Sequence, residues 1–200
     1  MVPIYLNGKG KKGYTFDEFE KEFENICESH RKQRRALGFA FILCNFDSAE
    51  VIKVLNDKDY WRALNHISGR FLTVFSFHSR QSYEESNRFV EARFGPQFDE
   101  AKPSILFFQI SEGKVSDSFS VNFTCDTVEG AFQEIRAVLT DAVESVENVL
   151  PEYSGNTAEV FNLIKQRLEQ RKALLMIKRG FGMVGSIRDV ISKIVSLGSP

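Results

Sequence analysis

The residues of this chain that could act as nucleophiles or metal ligands are few and lie far apart. The cysteines are Cys27, Cys44 and Cys125, an odd number without the paired spacing of a disulfide framework or a zinc site. Disulfides are rare in compartments that keep thiols reduced. We therefore predict three reduced thiols in a cytoplasmic protein, with no metal and no cofactor.

The histidines predict no metal site either. His30, His66 and His78 each lack a second histidine, cysteine or carboxylate at the spacing that metal ligands require. His78 differs from the other two because it follows a predicted strand, and α/β proteins form their sites at strand ends. We therefore take His78 as a candidate binding residue. The same position is equally consistent with an ordinary polar residue of a surface loop.

The charge of the chain argues against a nucleic-acid partner, since the formal net charge is -1. The distribution is uneven. Residues 151–200 carry eight Lys and Arg residues against four Asp and Glu residues, whereas residues 1–150 carry eighteen against twenty-three. The basic run "HRKQRR" at 30–35 ends a predicted helix, where cations offset the negative end of the helix dipole. The sequence thus combines an acidic core with a basic tail.

Hydrophobic periodicity predicts the elements that must position these residues. Phe16, Phe19 and Phe23 recur at helical spacing, and Thr15 with Glu18 forms a capping box that begins this helix. Short, continuously apolar runs predict buried strands. The predicted order is a strand at 2–6, a helix at 15–36, a strand at 39–46, a helical region at 47–68 that breaks near 56–59 and ends at Gly69, a strand at 70–77, a helix that ends at Gly95, strands at 104–110 and 115–123, and helices at 128–146 and 157–179.

From residue 39 onward the order βαβαββα predicts an α/β fold with one mixed sheet. Crossovers that contain helices join parallel strands, whereas the short turn at Glu112 and Gly113 joins the last two strands as an antiparallel hairpin. We predict three segments: an N-terminal strand, loop and helix at 1–38, a core at 39–150, and a basic amphipathic helical tail at 151–200.

The stretch "KPSILFFQISEGKV" at 102–115 combines a proline, a strand, a turn with glycine and a second strand. Together with the helix that follows, it resembles the corresponding segment of thioredoxin, and the order of the other elements is similar to the thioredoxin fold. The resemblance implies that the Lys102–Pro103 peptide bond is cis and that Pro103 lies beside a site. It also places the family's CxxC motif directly after "FILCNF", where this chain reads "DSAEVIKV" from Asp47 onward.

The missing motif indicates that the redox chemistry of the thioredoxin family is lost. A helix N-terminus lowers the pKa of a cysteine thiol, and this chain has neither cysteine of the CxxC at that helix start. Cys44 lies within a predicted strand, and Cys125 follows the fourth strand. What remains of the family's site is predicted around Asp47, His78 and Pro103, as binding residues without a catalytic set.

A fresh apolar periodicity begins in the basic tail. Ile187, Ile191 and Ile194 lie on one face of a predicted helix, opposite Arg188 and Lys193. A narrow apolar stripe of this kind must cover core surface, pair with a protein, or insert at a membrane surface. We expect the apolar faces of the tail to serve assembly or partner binding and not the folding of the core.

These patterns together predict a redox-inactive thioredoxin-like protein-interaction module whose C-terminal helices bind a partner or a second copy of the chain. Two alternatives stay open. One is an enzyme that acts on a thiol or nucleotide substrate at the retained site. The other is a protein that docks on an anionic membrane surface through its tail. The first residues lack the apolar segment of a secretory signal, and no apolar run reaches the roughly 18 residues of a membrane span.

Overall fold

The structure is a computed structural model that describes residues 1–5, 13–32, 36–44, 48–69, 71–77, 83–95, 102–147 and 157–181. Within these residues the strands alternate with helices along most of the chain. The elements are β1 (Val2–Tyr5), β2 (Tyr14–Thr15), α1 (Phe16–Lys32), β3 (Gly38–Leu43), α2 (Ala49–Asn56), α3 (Lys58–Ser68), β4 (Leu72–Phe77), α4 (Tyr83–Phe94), β5 (Ser104–Ser111), β6 (Lys114–Asn122), α5 (Val128–Glu147) and α6 (Thr157–Phe181).

All described strands belong to one mixed sheet with the order β2-β1-β4-β3-β5-β6. β3 pairs with β4 in parallel, whereas β3 with β5 and β5 with β6 are antiparallel pairs. β1 extends the sheet in parallel beside β4, and the two-residue β2 adds an outer strand. The predicted α/β class with a mixed sheet is confirmed, as are the parallel pairing of the strands near 39–46 and 70–77 and the antiparallel pairing of the last two strands. The prediction that the second helical crossover also joins parallel strands is wrong, because β5 runs antiparallel to β3 and therefore opposite to β4. The long connection that contains α4 returns the chain to the far side of β3 in the opposite direction.

Local sequence signals set the helix boundaries. The predicted capping box is present, because the Thr15 N–H donates to Glu18 Oε2 at 3.0 Å and the Glu18 N–H donates to Thr15 Oγ1 at 3.3 Å. The predicted break between α2 and α3 lies at Asp57, whose Oδ1 accepts the N–H groups of Asp59 and Tyr60 at 2.9 and 3.0 Å. Each cap satisfies helix N–H groups that have no partner within the helix.

The predicted hairpin turn is also present. Glu112 and Gly113 have φ values of 52° and 74°, the pair of positive φ angles that a tight two-residue hairpin requires. Glycine adopts this conformation without steric cost, and it fills the second of the two positions. The turn therefore fixes the antiparallel pairing of β5 with β6 from local sequence alone.

One side of the sheet is covered by α1 and α4 and is packed with phenylalanine; we call it the aromatic face. The Phe19 ring lies 5.0 Å from that of Phe75 and 5.9 Å from that of Phe41, measured between centroids. The Phe23 ring lies 5.2 Å from that of Phe89. Aromatic pairs at such separations contribute beyond the area that they bury. The buried rings of this face are Phe16, Phe19, Phe23, Phe39, Phe41, Phe75, Phe77, Phe89, Phe94 and Phe108.

The other side of the sheet, which we call the helical face, is covered by α6 together with α5, which packs against α2 and α3. Phe107 stacks on Phe119 at 5.2 Å between centroids, and Phe119 meets Phe161 of α6 at 5.3 Å. Ile164 approaches so closely that a Cβ on Gly38 would lie 3.4 Å from its Cδ1. The first half of α6 is thus fixed directly on the sheet.

This packing revises the expectation that the apolar face of the tail does not contribute to the core. The side chains of Val160, Phe161, Ile164 and Leu168 are buried within the same hydrophobic core as those of α1 and the central strands. They cover the helical face, whose apolar strand residues need a cover that α5 alone does not supply. The segments predicted at 1–38, 39–150 and 151–200 all contribute side chains to this one core.

Candidate functional site

Pro103 lies at the edge of the sheet where β3 ends and β5 begins. Its carbonyl accepts the N–H of Phe123 at 3.0 Å, and the next residue, Ser104, pairs with Leu43 at the end of β3. β4 ends at the same edge, since Ile42 pairs with Ser76. Asp47 and His78, the two residues predicted to join Pro103 in a site, lie outside the described residues.

The prediction of a cis peptide bond between Lys102 and Pro103 is wrong. No described peptide bond is cis, so the Lys102–Pro103 bond is trans. Pro103 directly precedes β5, at a position where the sheet requires no N–H donor, so the lack of an N–H group costs no hydrogen bond. Its carbonyl still accepts the N–H of Phe123. This result removes the local feature that linked Pro103 to a thioredoxin-type site.

A buried hydroxyl lies next to this proline. Ser104 is fully buried, and its Oγ has no hydrogen-bond partner among the described residues. Buried polar atoms are satisfied in most proteins, so this atom marks an unusual position at the sheet edge. No sequence signal predicts this burial, because a serine at a strand start is common and its burial depends on the neighbouring strands.

Two of the three cysteines, Cys27 and Cys125, lie in surroundings that disfavour the thiolate. None of the three forms a disulfide. Burial raises the pKa of the Cys27 thiol far above its ordinary value, and the neighbouring Glu28 adds to the shift. Partial burial also raises the pKa of Cys125, with further contributions from Glu50, Asp126 and Glu134. The reactive form of a cysteine is the thiolate, so these two residues are poor nucleophiles at neutral pH.

A cavity of about 350 Å³ lies on the helical face, between the end of β6, α5 and α6, and reaches Lys102. We call it the cationic cavity, because three basic side chains line it against one acidic side chain. Its lining residues are Lys102, Val121, Asn122, Phe123, Thr124, Glu134, Val138, Leu168, Arg171 and Lys172. The cavity therefore adjoins the sheet edge at which Pro103 lies.

Arg171 is a basic group of the cationic cavity that two carboxylates approach. Its Nη1 donates to Asp141 Oδ2 at 2.9 Å, and its Nη2 lies 3.7 Å from Glu134 Oε2. Arg167 also approaches Asp141, at 3.6 Å. The buried Nε of Arg171 has no hydrogen-bond partner among the described residues. Two carboxylates thus hold the guanidinium in place while one of its donors stays unused.

The exposure of α6 changes along its length. Its side chains are buried at intervals as far as Leu168, and then Lys172, Ala173 and Leu174 are all exposed. Leu174 is 54% exposed and is the single exposed large hydrophobic among the side chains that the structure describes, which in α6 extend as far as Leu174. The helix continues to Phe181, and the tail residues predicted to bind a partner, Ile187, Ile191 and Ile194, lie outside the described residues.

Two classes of site have no support in the described part of the chain. No described helix is both long and apolar enough to cross a lipid bilayer. The described His, Cys, Asp and Glu side chains form no group of three or more that could hold a metal ion. His30, one of the lone histidines, has its Nδ1 3.0 Å from the hydroxyl of Thr73.

No protein-family model, curated protein or solved structure matches this chain.

Proposed function

We propose that this chain is a redox-inactive thioredoxin-like interaction module that binds a protein partner, or a second copy of itself, through its C-terminal segment. The thioredoxin-like part of the proposal is supported by the strand pairings. The parallel pair β3–β4 and the antiparallel hairpin β5–β6 agree with the sheet predicted from the resemblance. The trans bond at Pro103 does not support it, so the proposal depends on topology.

The environment of the thiols supports a function without redox exchange. Exchange requires a thiolate to attack a disulfide and a second thiol to resolve the mixed disulfide. The pKa values of Cys27 and Cys125 are raised, which lowers the thiolate fraction of both. At the start of α2, where the family carries its motif, the N-cap residue is Ser48.

The observation that carries the binding role is the change in exposure along α6. Phe161, Ile164 and Leu168 fix the first half of the helix to the core. Beyond Leu168 the same helix presents an exposed Leu174, and the sequence continues with Leu175, Met176 and Ile177. Exposed apolar side chains favour a partner surface that removes them from water. An anchored helix with an exposed apolar side chain at Leu174 is well suited to present a binding segment.

The test compares the full chain with a triple variant, Ile187→Asp, Ile191→Asp and Ile194→Asp. The control is Ser186→Asp, Ser192→Asp and Ser196→Asp, which introduces the same charge into the same segment and keeps the apolar residues. Light scattering during gel filtration measures the oligomeric mass, and pulldown measures partner capture. We expect only the isoleucine variant to lose association, while both variants keep the thermal unfolding midpoint of the wild type.

Two results would overturn the proposal. In the first, the isoleucine variant keeps its oligomeric mass and every captured protein. In the second, the wild type shows no protein association but floats with anionic vesicles, and the isoleucine variant does not. The second result would identify the tail as a membrane-docking segment instead.

A further inference from the structure

β6 forms one edge of the sheet. It is the longest described strand, and β5 is its one neighbour among the strands that the structure describes. Its partly buried apolar side chains, Val115, Phe119 and Val121, pack on the core. The opposite edge is the two-residue β2. An edge strand can pair with a strand of another molecule, and β-branched and aromatic residues favour such pairing. The edge of β6 is therefore the longer template of the two.

The hydrogen-bonding pattern shows which backbone groups of β6 point to this edge. The Phe123 N–H donates to the Pro103 carbonyl at 3.0 Å, and the pairing register continues from there as far as Asp117. In an antiparallel pair, residues that bond to the neighbouring strand alternate with residues whose N–H and C=O groups point away from it. The odd-numbered residues from 117 to 123 therefore bond to β5. Ser118 lies between two of them, so its N–H points to the outer edge.

Asp117 occupies this N–H. Its Oδ1 accepts the Ser118 N–H at 2.8 Å. Asp117 is exposed and carries the one charge of residues 115–122. A strand that paired here would have to displace the carboxylate from the N–H and remove it from water, which costs free energy. The carboxylate thus competes directly with an incoming strand.

Two further features of β6 act in the same direction. The register shifts between Gln109 and Ile110, which lie opposite Asp117 and Val115, so Ser116 has no β5 residue opposite it. Such a bulge bends the strand and interrupts regular pairing. Lys114 adds an exposed charge where the strand begins. Charged side chains and bulges are the features by which proteins keep edge strands from pairing with each other.

We infer that the outer edge of β6 is a pairing site for a second copy of the chain, and that Asp117 keeps this site closed. Two copies of one edge strand pair antiparallel about a twofold axis. Full overlap of two β6 strands places Lys114 opposite Asn122 and Asp117 opposite Phe119. The two Asp117 carboxylates then become diagonal neighbours on one face of the sheet, where like charges repel. The inference goes beyond the proposed function and does not depend on the C-terminal segment.

Two substitutions at this exposed position test the inference. Asp117→Thr removes the charge and the acceptor and introduces a residue that favours strands. Asp117→Lys removes the acceptor but keeps a charge on the edge. Sedimentation velocity over a concentration series measures the mass of each variant. We expect Asp117→Thr to reach about twice the mass of its parent chain, as a twofold pair requires. Asp117→Lys should keep the parent mass.

Matched backgrounds separate this association from any association through the tail. Each substitution is made in the wild type and in the variant with aspartate at 187, 191 and 194, and the increase in mass should be the same in both. Asp126→Thr is the control, because it removes one exposed carboxylate outside the strands and should leave the mass unchanged. Amide hydrogen exchange locates the contact. Exchange of the Ser118 amide in the Asp117→Thr chain should slow as concentration rises, because its N–H then donates to the second copy.

Several outcomes would overturn the inference. One is a folded Asp117→Thr chain that keeps the parent mass up to millimolar concentration. Another is an equal increase in mass for Asp126→Thr or Asp117→Lys, because the aspartate would then have no specific role at the edge. An increase in mass without slower exchange at Ser118 would place the contact elsewhere. Failure here is distinct from failure of the proposed function, because the substitutions at 187, 191 and 194 leave β6 unchanged.

Discussion

The two faces of the sheet differ in what their side chains can do. The aromatic face is packed mainly with phenylalanine rings, which bury a large area and carry no hydrogen-bonding group. The helical face combines apolar packing with Arg171, two nearby carboxylates and a cavity. A cavity of about 390 Å³ also lies between α1 and α4, but its lining includes no strand residue and carries Asp17, Glu20 and Glu85 against two arginines. The comparison indicates that aromatic packing dominates one face, whereas the other combines apolar packing with charged groups that line a cavity.

The largest effect should come from opening the aromatic face. Phe41 is fully buried, and its ring lies 5.1 Å from that of Phe108 and 5.9 Å from that of Phe19. Phe41→Ala should lower the free energy of unfolding by about 3–5 kcal/mol, because it leaves a cavity among rigid rings. Urea denaturation measures the loss. Leu174→Ala, at an exposed position, is the control and should cost no more than about 0.5 kcal/mol.

A somewhat smaller loss should follow truncation on the helical face. Ile164 is 1% exposed and packs close to Gly38, so Ile164→Ala should cost about 2–5 kcal/mol of the global unfolding free energy. Urea denaturation measures this loss, and amide hydrogen exchange of the variant then shows whether the strands β3 and β5 are less protected. Unchanged amide exchange in β3 and β5 would show that α6 does not stabilise the sheet and that the tail is independent of the core.

Much of this fold could be predicted because its signals are local. The helical spacing of Phe16, Phe19 and Phe23 marks the buried side of α1, and the Glu112–Gly113 pair fixes a hairpin within two residues. The packing of α6 could not be read in this way. A basic helix with an apolar stripe is equally compatible with covering its own sheet or a partner, and only the three-dimensional arrangement decides between them.

The cationic cavity was not predicted, for a related reason. Its basic residues come from a position before β5 and from the second half of α6, which lie about one third of the chain apart. No short-range spacing connects Lys102 with Arg171. The one local hint was the excess of basic residues after residue 150, which indicates a positive surface but not a cavity. At Pro103 the error is of the other kind, because the resemblance to a family predicted a feature that is absent. The Lys102–Pro103 bond is trans and not cis.

An intermediate effect should follow removal of the capping box at the start of α1, which positions the helix on the aromatic face. Thr15→Ala removes the acceptor for the Glu18 N–H and should cost about 1 kcal/mol. Thr15→Ser keeps the hydroxyl and serves as the control. Equal stability of the two variants in urea would show that this cap does not stabilise the aromatic face.

The smallest effect concerns pH on the helical face. Hydrogen bonds from Gln133 and from Tyr60 hold the pKa of Glu129 below its ordinary value of 4.5. A carboxylate whose pKa is lowered by folding contributes stability above pH 4.5, and this contribution is lost as the pH falls through the lower folded-state value. Glu129→Gln should therefore reduce the slope of stability against pH in this acid range. A slope identical to that of the wild type would contradict the assignment.

The most direct test of the proposed function is association by a chain in which Cys27, Cys44 and Cys125 are all replaced by alanine. Oligomeric mass and partner capture are measured together, and the thermal transition confirms that the variant is folded. We predict that the thiol-free chain associates as the wild type does, because the proposed binding segment at 151–200 contains no cysteine. Loss of association by a folded thiol-free chain would contradict the proposal and would instead favour an enzyme that acts through one of these cysteines.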